Sequence, residues 1–315
     1  MAMDPLSELL SLLRLRDYVS GLFVLPASSG FDFKAHNGVK CYAITSGACW
    51  LLIDDGTRVL ELTSGDCILL PKGMPFSLVG CPDNPRVNFD PAIVMADTSN
   101  KAASQDDDCY IVGTHFQLEE GFAGMFLGSL PLVVHVPASM DSEAMHWSLR
   151  RMREEYLNPQ PGSSLIGRQL AHMVFVQVLR LHVRQEAEHG RGWLFGLADK
   201  QMLNAISGMH GKPEFAWTVQ ALADLSGTSR TVFSKRFHQK VGTTPMQYLT
   251  RWRMLVASDR LKRSEDPVST IALSLGYETE SAFGRTFRKV WGCSPREHRK
   301  TGSHQPLLLG QQAVA

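Results

Sequence analysis

Two short segments of the chain repeat each other fifty positions apart and carry the side chains best suited to bind an external ligand. They are 229–245 (SRTVFSKRFHQKVGTTP) and 279–295 (TESAFGRTFRKVWGCSP). Lys235 in the first copy stands where Arg285 stands in the second. An arginine can donate two hydrogen bonds to the O6 and N7 atoms of guanine. A unit used twice indicates one extended ligand, and double-stranded DNA suits it best.

Each copy has the pattern of a helix that buries one face and exposes the other. Phe233 and Phe237 lie four residues apart, as do Phe283 and Phe287 in the second copy. Residues at this spacing share one side of a helix, so the rings predict a core-facing stripe. The other side is small, polar and basic, as a helix in a DNA groove requires. The residues predicted to contact DNA are Arg230, Thr231, Ser234, Lys235 and His238, and in the second copy Glu280, Ser281, Gly284, Arg285 and Arg288.

Capping signals place the first of these reading helices between two others. Thr218 can cap a short helix before it, and Ser229 opens the reading helix itself. Thr244 opens the next helix, with proline at the first helical position and Gln247 completing a capping box. That linker helix should run to about Arg263, roughly 20 residues or about 30 Å. This length is close to the ~34 Å between successive major-groove faces.

The same signals recur around the second reading helix. Asp266, with a proline behind it, is predicted to cap a short helix that turns at Gly276. Thr279 then opens the reading helix. Ser294 and Glu297 form another capping box for a last short helix.

The charges of the chain are divided unevenly. Residues 212–301 hold 16 Lys and Arg against 8 Asp and Glu, a net charge of +8. The remainder holds 16 against 23, or −7, although the whole chain is only +1. A basic module joined to an acidic one indicates a polyanionic partner for the basic module.

The region 197–301 resembles the AraC/XylS family of bacterial transcription regulators. The resemblance rests on the phenylalanine-containing reading helices followed by Gly-x-x-Pro, on Ala257 with Leu261, and on the turn from Ile271-Ala272 to Gly276-Tyr277. It implies two helix-turn-helix units joined by a linker helix, which bind promoter DNA and adjust the recruitment of RNA polymerase. By position it implies contacts to bases or phosphates from Thr231, Ser234, Lys235, His238, Glu280, Ser281, Gly284 and Arg285, of which Gly284 offers no side chain and Thr231 and Ser234 are shorter than in many relatives.

The N-terminal half has the signals of strands. Between Val19 and about Leu118, apolar runs such as CWLLI and CILLP alternate with turn signals such as Asp-Asp-Gly at 54–56. This pattern predicts an all-β barrel or sandwich. The polar stretch after Asp90 (PAIVMADTSNKAASQDDD) predicts a long exposed loop.

Part of this half resembles a cupin barrel. Residues 65–76 (GDCILLPKGMPF) match the second cupin motif, but Phe76 stands where metal-binding members have histidine. Of the histidines and glutamate that the first motif supplies, only His36 is present near 39–47. A first-row metal needs several such ligands together, so neither a metal nor another cofactor is expected. From Asp4 to Thr114 the chain resembles the cupin domain of one AraC-family branch, whose role is sensing or dimerisation.

The interior of such a barrel can hold a small-molecule effector. His36, Tyr42, Trp50 and Phe76 are candidates to line that cavity. The alternative is that the three aromatic residues are core and His36 is a surface loop residue.

Helical patterning begins near Asp141 and continues in a longer helix from about Ser164 to Glu188. The apolar stripe of this second helix either seals the β-domain or forms the seam of a homodimer. The stripe of this helix consists of Leu165, Leu170, Met173, Val174, Val178 and Leu181.

At the other end of the chain, LSELLSLL predicts a short amphipathic helix rather than a signal peptide.

The six cysteines indicate a reducing, cytoplasmic environment, because no Cys-x-x-Cys pair or zinc-finger spacing occurs. Four of them lie in or beside predicted strands, where a buried thiol is usually inert. Some relatives in the resembling branch answer to oxidants, so a thiol switch stays an alternative. The four strand cysteines are Cys41, Cys49, Cys67 and Cys109.

The sequence contains no run of about 18 uncharged apolar residues, so no membrane span is predicted.

The predicted fold class is α+β with two domains. Residues 1–190 form a cupin-like β-barrel with flanking helices, 191–196 a linker, 197–301 an all-α double helix-turn-helix domain, and 302–315 a disordered tail. We expect a sequence-specific regulator, an activator by the family's commoner mode, that binds two consecutive major grooves under small-molecule or redox control. The alternatives are a cupin enzyme with an accessory DNA-binding domain and a nonspecific DNA-coating protein.

Overall fold

The computed structural model describes residues 4–13, 16–53, 56–90, 107–117, 128, 130–140, 143–186 and 190–301. Two compact units are present, and one of them consists of Arg16–Gln117 and Leu130–Gln185. The other contains the described residues from 190 to 301 together with the N-terminal helix. The predicted tail and, up to residue 106, the predicted loop after Asp90 lie outside the described residues. The predicted domain boundaries stay predictions.

The described strands of the first unit form two five-stranded sheets, in which every pairing is antiparallel except that of β2 with β8. In spatial order the first sheet consists of β1 (Arg16–Leu25), β9 (Cys109–Gln117), β3 (Val39–Ser46), β6 (Cys67–Leu70) and β10 (Val134–Val136). The second consists of β5 (Arg58–Thr63), β4 (Ala48–Ile53), β7 (Phe76–Val79), β2 (Gly30–Phe33) and β8 (Arg86–Asn88).

One apolar core is shared by the two sheets. Alternate residues of a strand point to opposite faces, and Tyr42 and Ile44 of β3 point inward with Phe31 and Leu51 of the second sheet. Gly113 of β9 faces Tyr42, and a Cβ atom there would lie 2.8 Å from the tyrosine ring. The predicted α+β fold class with an N-terminal cupin-like domain is confirmed. The predicted barrel is not closed, because among the described strands no hydrogen-bonded pair joins one sheet to the other.

Two helices cover the first sheet, α2 (Glu143–Leu157) and α3 (Ser163–Gln185). The ring of Phe175 on α3 lies 4.9 Å from that of Phe116 on β9. The predicted stripe of α3 is therefore largely core of the same unit, which confirms the first of its two interpretations for the residues Leu170, Val174, Val178 and Leu181.

The second unit is helical. The helices of this second unit are α1 (Pro5–Leu13), α4 (Trp193–Gly196), α5 (Lys200–Gly211), α6 (Val219–Leu225), α7 (Arg230–Val241), α8 (Pro245–Arg263), α9 (Val268–Leu273), α10 (Glu280–Trp291) and α11 (Pro295–Thr301).

None of the described helices in the chain is long and apolar enough to cross a bilayer.

Most of the predicted caps are confirmed. The hydroxyl of Thr218 accepts from the amide of the third helical residue of α6, and Ser229 does the same for α7. Thr244 and Gln247 form the complete capping box of α8. Gly242 and Gly292 end the two reading helices with φ values of 79° and 75°, a left-handed backbone that favours glycine.

One predicted cap is wrong. The N-cap of α9 is Pro267, which makes no side-chain cap hydrogen bond, and not Asp266. The backbone carbonyl of Asp266 instead accepts a hydrogen bond from Arg299. The helix begins one residue later than the capping rule suggested because the chain stays extended through the proline.

The N-terminal helix packs within the helical unit. Leu9 is fully buried, and the Glu8 carboxylate lies 3.0 Å from Nδ1 of His210 on α5. The other ring nitrogen of His210 is 2.8 Å from the hydroxyl of Tyr248 on α8. The imidazole also stacks on Trp252, with ring centroids 3.5 Å apart. The predicted amphipathic helix is confirmed, and its buried partners are residues of α5 and α8.

Candidate nucleic-acid interface and interior cavity

The first helix-turn-helix unit consists of α6 and α7. Phe233 and Phe237 are fully buried, as their spacing predicted. The opposite side of α7 faces solvent. Of the five residues predicted there, Arg230, Thr231, Lys235 and His238 are exposed and Ser234 is half-buried.

The second unit, α9 and α10, repeats the arrangement. Phe283 and Phe287 are fully buried, while Ser281, Arg285 and Arg288 are exposed and Gly284 is half-buried. Exposed Glu280 accepts a hydrogen bond from Arg296 at 3.3 Å, so its carboxylate already has a cationic partner in the free protein. The structure thus places both predicted sets on solvent-facing sides of corresponding helices.

An ion pair fixes the orientation of α7. The Asp199 carboxylate caps α5 and lies 2.8 Å from Nη2 of Arg236. Arg236 also donates to the side chain of Gln201 at 2.6 Å. The exposed guanidinium of Arg236 therefore already has two partners within the protein, Asp199 and Gln201.

The linker helix α8 is attached to both units. It has 19 residues, about 28 Å of helix. On the side of the second unit, the indole nitrogen of Trp291 donates to the carbonyl of Met254 at 3.2 Å. Buried His298 lies 2.7 Å from the hydroxyl of Ser258. On the side of the first unit, the ring of Tyr248 lies 5.8 Å from that of Phe237 on α7, so the linker helix packs against both reading units.

Three exposed residues of α7 were not predicted to contact DNA, Val232, Arg236 and Gln239, and Val232 is the apolar one. Val232 is 53% exposed, although it is apolar and precedes the fully buried Phe233. In protein–DNA complexes, an apolar side chain in the major groove can contact the methyl group of thymine. The signal in the sequence was the occurrence of valine on the otherwise polar side of the helix.

The sheet unit contains a cavity of about 430 Å³ that is lined by residues of both sheets. Two predicted ligand-binding residues, His36 and Tyr42, line it. Phe76 lines the neighbouring cavity and stacks on Phe33 at 4.5 Å. Trp50 lies on the opposite face of β4 from the core residues and lines neither cavity.

Three basic side chains that line this cavity have lowered pKa values: His36, Lys40 and His115. Burial, with help from the charges of Lys40 and His115, lowers the pKa of His36 to about 4. Burial also lowers the pKa of Lys40 to about 8 and depresses the pKa of His115. At neutral pH the two histidines are therefore neutral, and Lys40 is cationic.

Lys40 and His115 were missed by the sequence interpretation. The alternation of β3 places Lys40 on the same face as Tyr42 and Ile44, and that of β9 places His115 with Cys109 and Ile111. Period-two patterning could have found both, but a lysine inside an apolar run is read as an outward residue by default.

Five of the six cysteines are buried, including the four expected in strands. The exception is Cys81, which is exposed. Among the described residues there is no group of three or more His, Cys, Asp or Glu side chains arranged to hold a metal ion.

The sheet unit and the helical unit together define a DNA-binding transcription regulator with a cupin domain. Residues 4–184 match the family model described as Cupin, and residues 222–301 match that of a helix-turn-helix domain. The chain is 35% identical over 301 residues to a protein of Streptomyces antibioticus described as an AraC-like transcription regulator, covering 95% of this chain and 99% of that protein.

A second relative is the HTH-type transcriptional regulator AlkR of Acinetobacter baylyi, 29% identical over 285 residues, with 86% of this chain and 90% of that protein covered. Among solved structures, the DNA-binding domain of AdpA in complex with a target DNA is 28% identical, with a TM-score of 0.31, and covers 32% of this chain and 91% of that domain. The chain belongs to the family of AraC-like transcription regulators.

Proposed function

We propose that this regulator binds promoter DNA through two consecutive major grooves, with α7 in one groove and α10 in the next. The observation that carries the proposal is the repeated geometry, in which a fully buried phenylalanine pair lies opposite a solvent-facing polar side on each helix. The spacer of about 28 Å between them is close to the ~34 Å groove repeat.

The proposed contacts divide by chemistry. Arg285 pairs with guanine through two hydrogen bonds, and Lys235 binds a base edge or a phosphate. Arg230, His238 and Arg288 provide further donors to the phosphates. Thr231, Ser234 and Ser281 are short enough to let the helices approach the base edges. Glu280 would accept from a cytosine amino group after leaving Arg296. Gly284 would allow close approach of the backbone.

The test is the affinity of Arg285→Ala for a DNA sequence that the purified protein selects from a random pool. We expect a loss of about ten- to hundredfold on the selected DNA, from a bidentate pair worth ~1–3 kcal/mol, and a smaller loss on unrelated DNA. Arg263→Ala is the matched control, since Arg263 pairs with Asp259 on the linker helix. Equal losses on both DNAs would count against base reading.

The cupin domain is proposed to sense a signal, and the response to be activation through RNA polymerase in the cytoplasm, where promoter DNA lies. The sensing role is supported by the interior cavity and by Phe76, which replaces the metal-ligating histidine of catalytic cupins and is buried in the core. Transcription in a purified system with and without the protein would test activation. Metal analysis of the purified protein would distinguish a sensor from a cupin enzyme.

We propose a homodimer as the working form. The support is the exposed apolar side chain of Leu165 at the start of α3, which is 54% exposed beside the half-exposed Ile166. Analytical ultracentrifugation at micromolar concentration tests it, and a monomer alone would contradict it. A footprint with no preferred site would instead favour a nonspecific DNA-coating protein.

A further inference from the structure

We propose that the cavity of the sheet unit binds a small molecule with a carboxylate head and an apolar, preferably aromatic, body, and that the ammonium group of Lys40 pairs with the carboxylate. The inference rests on the proposed sensing function and names the chemical class of the effector. It also assigns a specificity-determining residue.

Lys40 is positioned to receive an anion. It lies on the inward face of β3 and is half-buried. Its Nζ lies 4.9 Å from the ring centroid of Phe33 and 5.2 Å from that of Phe76. In the part of the chain that the structure describes, no carboxylate pairs with this ammonium group. A half-buried cation without a counter-ion is partly desolvated, and an incoming carboxylate would offset part of that cost.

The remaining wall of the cavity suits an apolar body. Phe89 stacks on Phe33 with ring centroids 4.4 Å apart and lies 5.2 Å from Phe23. Tyr42 and Gly113 also line the cavity, and the Tyr42 ring packs so closely on Gly113 that a Cβ atom there would lie 2.8 Å from it. A volume of about 430 Å³ is at the lower end of the range for small-molecule sites, ~300–1,000 Å³. The ligand is therefore small, with one charged end.

The other charged or titratable groups on the wall do not neutralise Lys40. Asp32 lies on the opposite face of β2 from Phe33, where it accepts from Ser77 at 2.5 Å and pairs with Arg86 at 3.7 Å. His36 and His115 are neutral at pH 7, because burial lowers the pKa of each. Lys34 and Asp90 are exposed at the rim of the cavity.

Isothermal titration calorimetry at pH 7 tests the ligand class with benzoate, 3-phenylpropionate and octanoate. We expect at least one carboxylate to bind with a dissociation constant below about 1 mM, and its neutral amide to bind at least about tenfold more weakly. Inorganic phosphate is a further arm, since it shares the charge but lacks the body. Failure of all three carboxylates, an amide that binds as tightly as its acid, or phosphate as the tightest ligand would each overturn the proposal.

The same titration on substituted proteins tests whether Lys40 binds the carboxylate. Lys40→Met should weaken carboxylate binding by about ten- to hundredfold, while Lys40→Arg keeps the charge and retains most of the affinity. Lys34→Met is the matched control at the exposed rim and should change affinity by less than about twofold. Equal effects of the two methionine variants would contradict the assignment to Lys40.

The pH dependence gives an independent readout. Because burial lowers the pKa of Lys40 to about 8, carboxylate affinity should be steady below pH 8 and decline as the pH rises through it. Lys40→Arg should remove the decline. Binding of each variant to the selected DNA without carboxylate shows that it folds. If wild-type protein binds that DNA but no carboxylate, only this inference fails; if it selects no DNA, the proposed function fails.

Discussion

The guanidinium group of Arg253 lies 5.7 Å from the ring centroid of Tyr277. Arg253 belongs to the linker helix, and Tyr277 to the turn of the second unit. The same side chain donates hydrogen bonds to the carbonyls of Pro213 at 2.7 Å and Phe215 at 2.9 Å, which precede the first unit. One arginine of the linker helix thus contacts both the segment that leads into the first unit and the turn of the second unit.

Arg253→Ala should loosen this connection. Loss of two hydrogen bonds from a charged donor should lower the free energy of unfolding by about 1–3 kcal/mol. Affinity for the selected DNA should fall further than affinity for unrelated DNA, because correct spacing of the two reading helices is lost. Urea denaturation and DNA titration measure the two effects. Arg260→Ala, which removes only a bond to the side chain of Ser274, is the control.

Gly284→Ala separates the stability of the second reading helix from the affinity of that helix for DNA. A Cβ atom at Gly284 would meet nothing within 4 Å in the protein. Alanine should therefore stabilise the helix by about 0.5–1 kcal/mol. If the backbone lies against DNA as proposed, affinity for the selected DNA should nevertheless fall.

The matched variant in the first copy is Ser234→Ala, which leaves a Cβ atom where the protein already has one. Unchanged or tighter DNA binding by Gly284→Ala would show that the helix does not approach DNA at this point. Thermal unfolding of the free protein reports the stability effect separately.

The buried His210 should make the helical unit sensitive to acid. Burial lowers the pKa of His210 in spite of the opposing effect of Glu8, so the folded state binds fewer protons than the unfolded state below about pH 6.5. Stability should fall as the pH decreases through that value, by up to about 1.4 kcal/mol per pH unit for one proton.

His210→Phe should remove this component of the slope, at the cost of leaving Glu8 and the Tyr248 hydroxyl without their partner. The measurement is the free energy of unfolding of both proteins between about pH 7.5 and about pH 5, a window that spans the ordinary histidine pKa of about 6.5. His238→Gln, at an exposed position, should keep the wild-type slope. An unchanged slope in His210→Phe would contradict the assignment.

The thiols should differ sharply in reactivity. Burial raises the pKa of Cys41 to about 12, and a hydrogen bond between the Cys49 and Cys109 thiols, together with burial, raises the pKa of Cys49. Iodoacetamide should therefore modify only the exposed Cys81 in the native protein, as read by mass spectrometry.

Cys81→Ser should abolish the labelling and leave DNA binding resistant to mild hypochlorite. Loss of DNA binding in hypochlorite-treated Cys81→Ser, accompanied by a modified strand cysteine, would support the thiol-switch alternative. It would also show that the sheet unit opens under oxidant.

Local signals made the helical domain predictable. The caps Ser229 and Thr279 and the phenylalanine pairs act within one or two turns of chain, so the reading helices and their outward residues followed from the sequence. The cap at Asp266 failed because the following proline competes with the capping rule. Contacts between distant residues carry no such signal, and the pairing of Glu8 with His210 spans 202 positions.

The sheet unit was predictable in class but not in register. Apolar runs and turn residues identified strands, yet which residue faces the cavity depends on pairing between strands far apart in the chain. Trp50 and Tyr42 look alike as aromatic strand residues, and the structure places them on different faces. The alternation of β3 groups Lys40 with Tyr42 and Ile44, but the pairing of β3 with β9 determines that this face of the strand meets the cavity.

Methylation interference at guanine N7 on the selected DNA tests the central claim most directly, because N7 lies in the major groove. Two windows of interference centred about 10 base pairs apart are expected. Lys235→Ala should weaken one window and Arg285→Ala the other. A single window, or the same window lost in both variants, would contradict binding to two consecutive grooves.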